Sequence, residues 1–143
     1  MKYAITGHSY GIGQALYKKL DSIGFSKSTG YDICDPAIRK QIIEQSEDCD
    51  VFINNAPADF GQSELLLELW NAWQGKNKTI INVGSRISET NFELPIEYSH
   101  LLKYQMHKRT LKQLSETLST LPSTVKVKYR WFDYVGTPKI LAK

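Results

Sequence analysis

The sequence predicts an α/β protein with a parallel, doubly wound sheet between two layers of helices, a three-layer arrangement of about five strands. Short apolar runs alternate along the chain with stretches in which apolar residues recur at helical spacing. No repeat, low-complexity segment or Pro/Gly-rich linker divides residues 1–143, so we expect a single domain. Alternating elements of this kind predict the strand order 2-1-3-4-5, with ligands bound beyond the carboxyl ends of the strands.

The predicted strands are short runs bounded by acidic or turn-forming residues. They are residues 3–6, 25–31, 51–54, 79–83 and 125–131. The third and fourth runs are largely apolar, which is typical of strands that are buried on both faces.

Four stretches are predicted to be helical. They are residues 11–21, 36–45, 62–73 and 97–118. Asp35 and Pro36 suit the N-cap and the first position of the second helix. Gly24 is expected to end the first helix and Gly75 the third.

Composition and charge exclude several kinds of function. The net charge is only +3 and the basic residues are scattered, so we expect no nucleic-acid partner. No apolar run is long enough to span a bilayer, and a glycine-rich turn interrupts the apolar start that a signal peptide needs. Cys34 and Cys49 lack metal-ligand or redox spacing. We therefore expect a cytoplasmic protein with reduced thiols, no metal and no membrane contact.

The most informative segment is the glycine-spaced turn Gly7-x-x-x-Gly11-x-Gly13, which directly follows the first strand. The order strand, glycine-rich loop, helix places free backbone N–H groups and a positive helix end where a pyrophosphate binds. The alternative is a glycine-rich turn that binds no ligand.

With Thr6 before it and Ile12 inside it, this segment resembles the TGxxxGIG motif of the short-chain dehydrogenases/reductases. The resemblance implies a Rossmann-like fold that binds a nicotinamide dinucleotide. The residues it places at the dinucleotide are Thr6, Gly7, His8, Ser9, Tyr10, Gly11, Ile12 and Gly13.

Three further segments resemble cofactor-binding parts of the same family. Asn54-Asn55-Ala56-Pro57 resembles its NNAG motif, with proline in place of glycine, and Asp32-Ile33-Cys34-Asp35 resembles the segment that flanks the adenine. Val135-Gly136-Thr137 resembles the loop that contacts the nicotinamide carboxamide. The implied cofactor residues are Asp32, Ile33, Asn55, Ala56, Val135 and Thr137. Alternatively, the asparagines only form a turn; Asp35 can be an N-cap in either case.

Ser85 follows the fourth strand, and Tyr104 and Lys108 lie four residues apart on the next helix, so both share one helix face. A nearby ammonium group lowers the pKa of a phenol. The resemblance implies that Tyr104 is the acid/base, that Ser85 hydrogen-bonds the substrate oxygen and that Lys108 also holds the nicotinamide ribose. The alternative is a solvated tyrosine and lysine on a surface helix.

The cofactor preference depends on the residues after the second strand. NAD-specific members have an acid there, whereas this chain has Ser26-Lys27-Ser28-Thr29. Lys27 and Ser28 suit a 2′-phosphate, so we expect NADP in preference to NAD.

The chain departs from the family pattern in being short, with one strand where the family has a longer second unit and little sequence after Pro138. Only Asn71 is available for the family's catalytic asparagine. Three functions therefore remain open: an oxidoreductase acting on a small carbonyl or alcohol, a non-catalytic dinucleotide-binding module such as a sensor, and an interaction domain. In the third case Trp70, Trp73 and Trp131 are candidate interface anchors.

Oligomerisation is expected because the long helix carries more apolar surface than one sheet face covers. Its leucines are Leu101, Leu102, Leu111, Leu114 and Leu118. Family members commonly pair through this helix, and the sequence therefore predicts a homodimer or homotetramer.

Overall fold

The sheet has five parallel strands in the order β2-β1-β3-β4-β5, which confirms the predicted topology. A computed structural model describes residues 1–131. The strands are β1 (Tyr3–Thr6), β2 (Ser22–Phe25), β3 (Val51–Asn54), β4 (Thr79–Val83) and β5 (Lys126–Arg130).

Helices cover both faces of this sheet, as predicted. They are α1 (Gly11–Lys19), α2 (Pro36–Gln45), α3 (Gly61–Ala72) and α4 (Leu102–Thr120). Apolar residues of α2, α3 and α4 pack with Phe52 and Ile80 in one core. Residues of α1 pack with Ile5 and Val51 in a second core on the other face. Since successive side chains of a strand alternate between faces, these two cores define the outer layers.

The second strand lies earlier than predicted. It spans Ser22–Phe25, where it pairs residue by residue with β1, and Gly24 lies within it instead of ending α1. A side chain at Gly24 would collide with the His8 ring, because a Cβ there would lie 2.2 Å from it. Residues 27–29, predicted as strand, form a 3₁₀ turn because Ser26 and Thr29 cap it reciprocally.

The start of α2 follows the prediction. The Asp35 carboxylate accepts a hydrogen bond from the Ala37 amide at 2.9 Å, and Pro36 occupies the first helical position. This capping holds the segment before α2 in a defined path toward the carboxyl ends of the strands. Within residues 1–131, no helix combines the length and the apolar character that crossing a bilayer requires.

Candidate functional site

The glycine-spaced loop connects β1 to α1 at the carboxyl edge of the sheet. Gly7 and Gly11 have φ angles of +72° and +69°, which side chains other than glycine rarely adopt. A Cβ on Gly13 would lie 2.1 Å from the carbonyl oxygen of Gly7, so α1 approaches the loop closely. The N-cap residue of α1, Tyr10, donates or accepts no side-chain capping bond at the first turn of the helix. The first-turn N–H groups of α1 therefore donate no bond to the side chain of this residue, and such a helix start suits an anionic ligand.

Thr6 of β1 and the two residues that follow β3 hold this loop through hydrogen bonds. The buried Thr6 hydroxyl accepts hydrogen bonds from the amides of Asn55 and Ala56 at 3.0 and 3.2 Å. The Asn55 side-chain amide donates to the Gly7 carbonyl at 3.3 Å. Thr6, Asn55 and Ala56 therefore set the shape of the loop through contacts with each other and with Gly7.

A cluster of hydroxyl groups joins the loop to the end of β2. The Ser9 hydroxyl lies 2.6 Å from that of Ser26 and 3.0 Å from that of Ser28, and the last two are 2.8 Å apart. Lys27 is exposed beside them. The cluster brings together three predicted cofactor residues, Ser9, Lys27 and Ser28, at one end of the cleft.

Other predicted cofactor residues have mainly packing contacts. The His8 ring lies against Tyr17, with ring centroids 4.7 Å apart. Ile33 is a buried core residue, and its carbonyl accepts a hydrogen bond from the buried Arg39 guanidinium at 3.0 Å. Asp32 accepts a bond from the Cys34 amide at 3.0 Å. Val135 and Thr137 lie outside the described residues.

Ser85 and Tyr104 come together at the carboxyl end of β4, where the Ser85 side chain lies close enough to lower the pKa of the Tyr104 phenol. Ser85 also accepts a bond from the Ile87 amide at 3.3 Å. The Lys108 ammonium lies 5.6 Å from the centroid of the Tyr104 ring. The structure therefore brings the three predicted catalytic residues into one cluster.

Burial raises the pKa of Tyr104, and the neighbouring Ser85 side chain only partly offsets this effect. The spacing of Tyr104 and Lys108 predicts the opposite direction, a pKa lowered because the ammonium stabilises the phenolate; the structure therefore corrects this prediction. In the structure the phenol is held in its protonated form at neutral pH. A protonated phenol is a proton donor, which suits reduction of a carbonyl.

The ammonium of Lys108 is directed into the protein. Lys108 is only 4% exposed, and its Nζ donates to the Gln62 side-chain oxygen at 2.9 Å and to the Val83 carbonyl at 3.2 Å. These acceptors compensate the cost of burying the charge.

Gln62, in the first turn of α3, was not identified from the sequence. Its Nε2 donates to the carbonyls of Asn54 at 2.8 Å and Val83 at 3.1 Å, so the side chain connects β3, β4 and α4. Asn71, the sequence candidate for a further polar catalytic residue, is exposed at the far end of α3. The sequence did contain a signal for Gln62. It is a polar residue at the start of a leucine-rich helix, and that helix is the next element after a strand that ends in asparagine.

Replacing Gln62 by methionine is expected to lower the free energy of unfolding by about 2–4 kcal/mol, because the Lys108 ammonium stays buried and loses an acceptor. The measurement is urea denaturation followed by circular dichroism. The double variant Gln62→Met/Lys108→Met should recover part of this loss, because the unpaired charge is gone. Strictly additive losses would contradict a direct coupling between the two side chains.

No metal cluster is found among residues 1–131, where no three His, Cys, Asp or Glu side chains lie close enough to bind an ion. At its loop end, the carboxyl edge of the sheet carries the start of α1, the hydroxyl cluster and the exposed Lys27. At its other end it offers a phenol and a serine hydroxyl. These groups suit an anionic ligand that extends along the carboxyl edge of the sheet.

No protein-family model and no curated protein matches the sequence. Solved structures do match. A short-chain dehydrogenase from Burkholderia cenocepacia J2315 in complex with NADP aligns at a TM-score of 0.74 with 17% identity, over 96% of this chain and 73% of that one. A small-chain dehydrogenase aligns at a TM-score of 0.73 with 16% identity, over 92% of this chain and 81% of that one. The 3-alpha-hydroxysteroid dehydrogenase from Pseudomonas sp. B-0831 complexed with NADH aligns at a TM-score of 0.63 with 22% identity, over 82% of this chain and 71% of that one.

The fold is that of the short-chain dehydrogenases/reductases. The glycine-spaced loop had predicted this fold from its position after the first strand. Within the short-chain dehydrogenase/reductase fold of this chain, a single strand and a 3₁₀ turn separate α1 from α2. The compressed second unit that the sequence predicts is therefore confirmed.

Proposed function

We propose that this protein is an NAD(P)-dependent oxidoreductase of the short-chain dehydrogenase/reductase type, acting on a small carbonyl or alcohol. The observation that carries the proposal is that Ser85 and Tyr104, with the Lys108 ammonium 5.6 Å from the Tyr104 ring centroid, lie at the same sheet edge as the glycine-spaced loop. A phenol and a hydroxyl that lie close together can bind one substrate oxygen between them.

The loop residues fit a dinucleotide because its backbone can be approached closely. The positive φ angles of Gly7 and Gly11, and the absence of a side chain at Gly13, leave the N-terminus of α1 open to a pyrophosphate. Ser9, Lys27 and Ser28 would hold the adenosine end. When bound, the nicotinamide supplies or accepts the hydride.

The role of Tyr104 is to move the proton. In the reducing direction its Oη donates a proton to the carbonyl oxygen, while the Ser85 hydroxyl donates a hydrogen bond to the same oxygen. The raised pKa of Tyr104 keeps this donor protonated at neutral pH. Lys108, held by Gln62 and Val83, places positive charge 5.6 Å from the centroid of the Tyr104 ring.

The test is a titration of NADPH and NADH followed by tryptophan fluorescence, and then NADPH oxidation in the presence of 2,3-butanedione, a reactive carbonyl compound. Saturable binding with turnover is the expected result. Absence of binding to either nucleotide would contradict the proposal and favour an interaction domain that has only the fold.

A non-catalytic dinucleotide-binding module is the second candidate. The observation that favours it is the burial of Lys108, whose ammonium is bonded to protein acceptors instead of facing the cleft. Saturable binding of nucleotide without oxidation by any carbonyl compound would identify this function.

A preference for NADP is part of the proposal and depends on Lys27. Replacing Lys27 by glutamate should weaken NADPH binding about tenfold or more and leave NADH binding nearly unchanged, because only NADPH carries a 2′-phosphate. The matched control is Lys126→Glu, at the opposite end of the sheet. Equal effects of Lys27→Glu on both nucleotides would contradict a phosphate contact.

A homodimer or homotetramer that pairs through α4 is also proposed, but its interface cannot use all of the leucines that the sequence predicts. Leu111 and Leu118 belong to the core and are not available for pairing, whereas Leu102 and Met106 are 54% and 53% exposed, one turn apart on α4. Sedimentation velocity should give a mass above that of one chain, reduced to one chain by Leu102→Glu with Met106→Glu. A monomeric wild-type protein would contradict this prediction.

A further inference from the structure

A closed set of three hydrogen bonds surrounds the backbone of Ser85. The Ser85 amide lies 3.2 Å from the hydroxyl oxygen of Tyr129, on β5. That hydroxyl lies 2.6 Å from the hydroxyl of Ser88, which donates to the Ser85 carbonyl at 2.6 Å. The circuit therefore begins and ends on the peptide groups of Ser85.

The direction of each bond follows from what each group can donate. An amide N–H only donates, so the oxygen of Tyr129 accepts from Ser85. The Ser88 proton is used on the Ser85 carbonyl. The proton of Tyr129 therefore goes to the Ser88 oxygen. With both its proton and an acceptor position used in this circuit, the Tyr129 hydroxyl is committed to holding Ser85.

Space for the Tyr129 ring comes from Gly84. A Cβ on Gly84 would lie 1.9 Å from both the ring and the hydroxyl oxygen of Tyr129. The Gly84 amide also donates to the Arg130 carbonyl at 2.7 Å. The residue before Ser85 is thus pinned to β5 by its backbone and packed beneath the tyrosine ring.

We propose that Tyr129 is a positioning residue that fixes the backbone of Ser85 and thereby directs the Ser85 hydroxyl toward Tyr104. Its importance for turnover rests on the proposed function, whereas the positioning itself does not. Tyr129 acts through Ser85 and Ser88 and does not bind the reacting oxygen.

Two measurements without substrate test the positioning. In Tyr129→Phe, which keeps the ring, hydrogen exchange of the Ser85 amide should accelerate at least about tenfold, because its acceptor is lost. In Ser88→Ala, which keeps both tyrosines, the titration of Tyr104 in a spectrum of ¹³Cζ-labelled tyrosine should shift in the same direction as in Ser85→Ala. The matched control is Tyr31→Phe, which removes a hydroxyl that donates to the exposed Gln45 side chain at 3.2 Å.

Unchanged exchange in Tyr129→Phe together with an unchanged Tyr104 titration in Ser88→Ala would overturn the proposal. If Ser85→Ala itself leaves the titration of Tyr104 unchanged, the proposal is also overturned, because Ser85 would then not face Tyr104. The two variants change different members of the circuit, so if one of them does not fold, an unchanged result in the other overturns the proposal by itself.

The third measurement is NADPH oxidation by 2,3-butanedione. Tyr129→Phe and Ser88→Ala should lower kcat about 10- to 100-fold, as small displacements of catalytic groups do, and leave the KM for NADPH unchanged. Wild-type kcat in both folded variants would contradict the proposal. If the wild type itself does not oxidise NADPH, the proposed function fails, and the exchange and titration results still decide whether Tyr129 positions Ser85.

Discussion

Replacing Gly13 by alanine is expected to weaken the binding of both NADPH and NADH strongly. The added Cβ would lie 2.1 Å from the Gly7 carbonyl oxygen and 2.6 Å from the Asn55 side-chain nitrogen. A backbone carbonyl cannot move aside as a flexible side chain can, so the loop or the start of α1 must shift. The N–H groups directed at the pyrophosphate then move with it, and we expect the Kd of each nucleotide to rise about 100-fold or more.

The matched control for this change is Gly75→Ala. Gly75 has a φ angle of +83° after α3, with open space around it. Alanine there should lower stability by about 1–2 kcal/mol and leave the Kd unchanged. Fluorescence titration gives the Kd values, and circular dichroism confirms that each variant is folded. A folded Gly13→Ala protein that binds NADPH with wild-type affinity would show that the loop does not hold the pyrophosphate.

Replacing Tyr104 by phenylalanine is the second change with a large expected effect. It removes the proton donor and leaves the aromatic ring beside Lys108, so kcat for carbonyl reduction should fall about 100- to 10,000-fold. The Kd for NADPH should stay within about twofold, because the phosphate loop is unchanged. Stopped-flow NADPH oxidation and fluorescence titration measure the two quantities.

The pH dependence of the wild type follows from the same phenol. The donor is active in its protonated form, which is present below its pKa, and burial raises that pKa above the ordinary value. Carbonyl reduction should therefore be independent of the titration of Tyr104 through neutral pH and fall only in strongly alkaline solution.

Unaltered turnover in Tyr104→Phe, with Tyr31→Phe as control, would contradict the role of Tyr104.

Much of the fold was determined by local sequence. The apolar runs of β3 and β4, the capping pair Asp35-Pro36 and the alternation of strands and helices were sufficient to predict the sheet order. The glycine spacing after β1 was sufficient to place a ligand loop, because positive φ angles and close approaches require glycine wherever they occur.

Other features were decided by contacts between distant segments. The position of β2 depends on its pairing with β1. This pairing selects Ser22–Phe25 as the strand, whereas the sequence alone predicts residues 25–31. The direction of the Lys108 side chain depends on Gln62, which lies 46 residues away. The tyrosine that holds Ser85 comes from β5, 44 residues away.

The physical reason for this division is the range of the interactions. Capping, helical periodicity and glycine conformation are set within a few residues, and the sequence by itself determined them. The partner of a buried ammonium or amide is whichever acceptor the packed elements bring within about 3 Å. For Lys108 and Ser85, only the tertiary structure decided which acceptor that is.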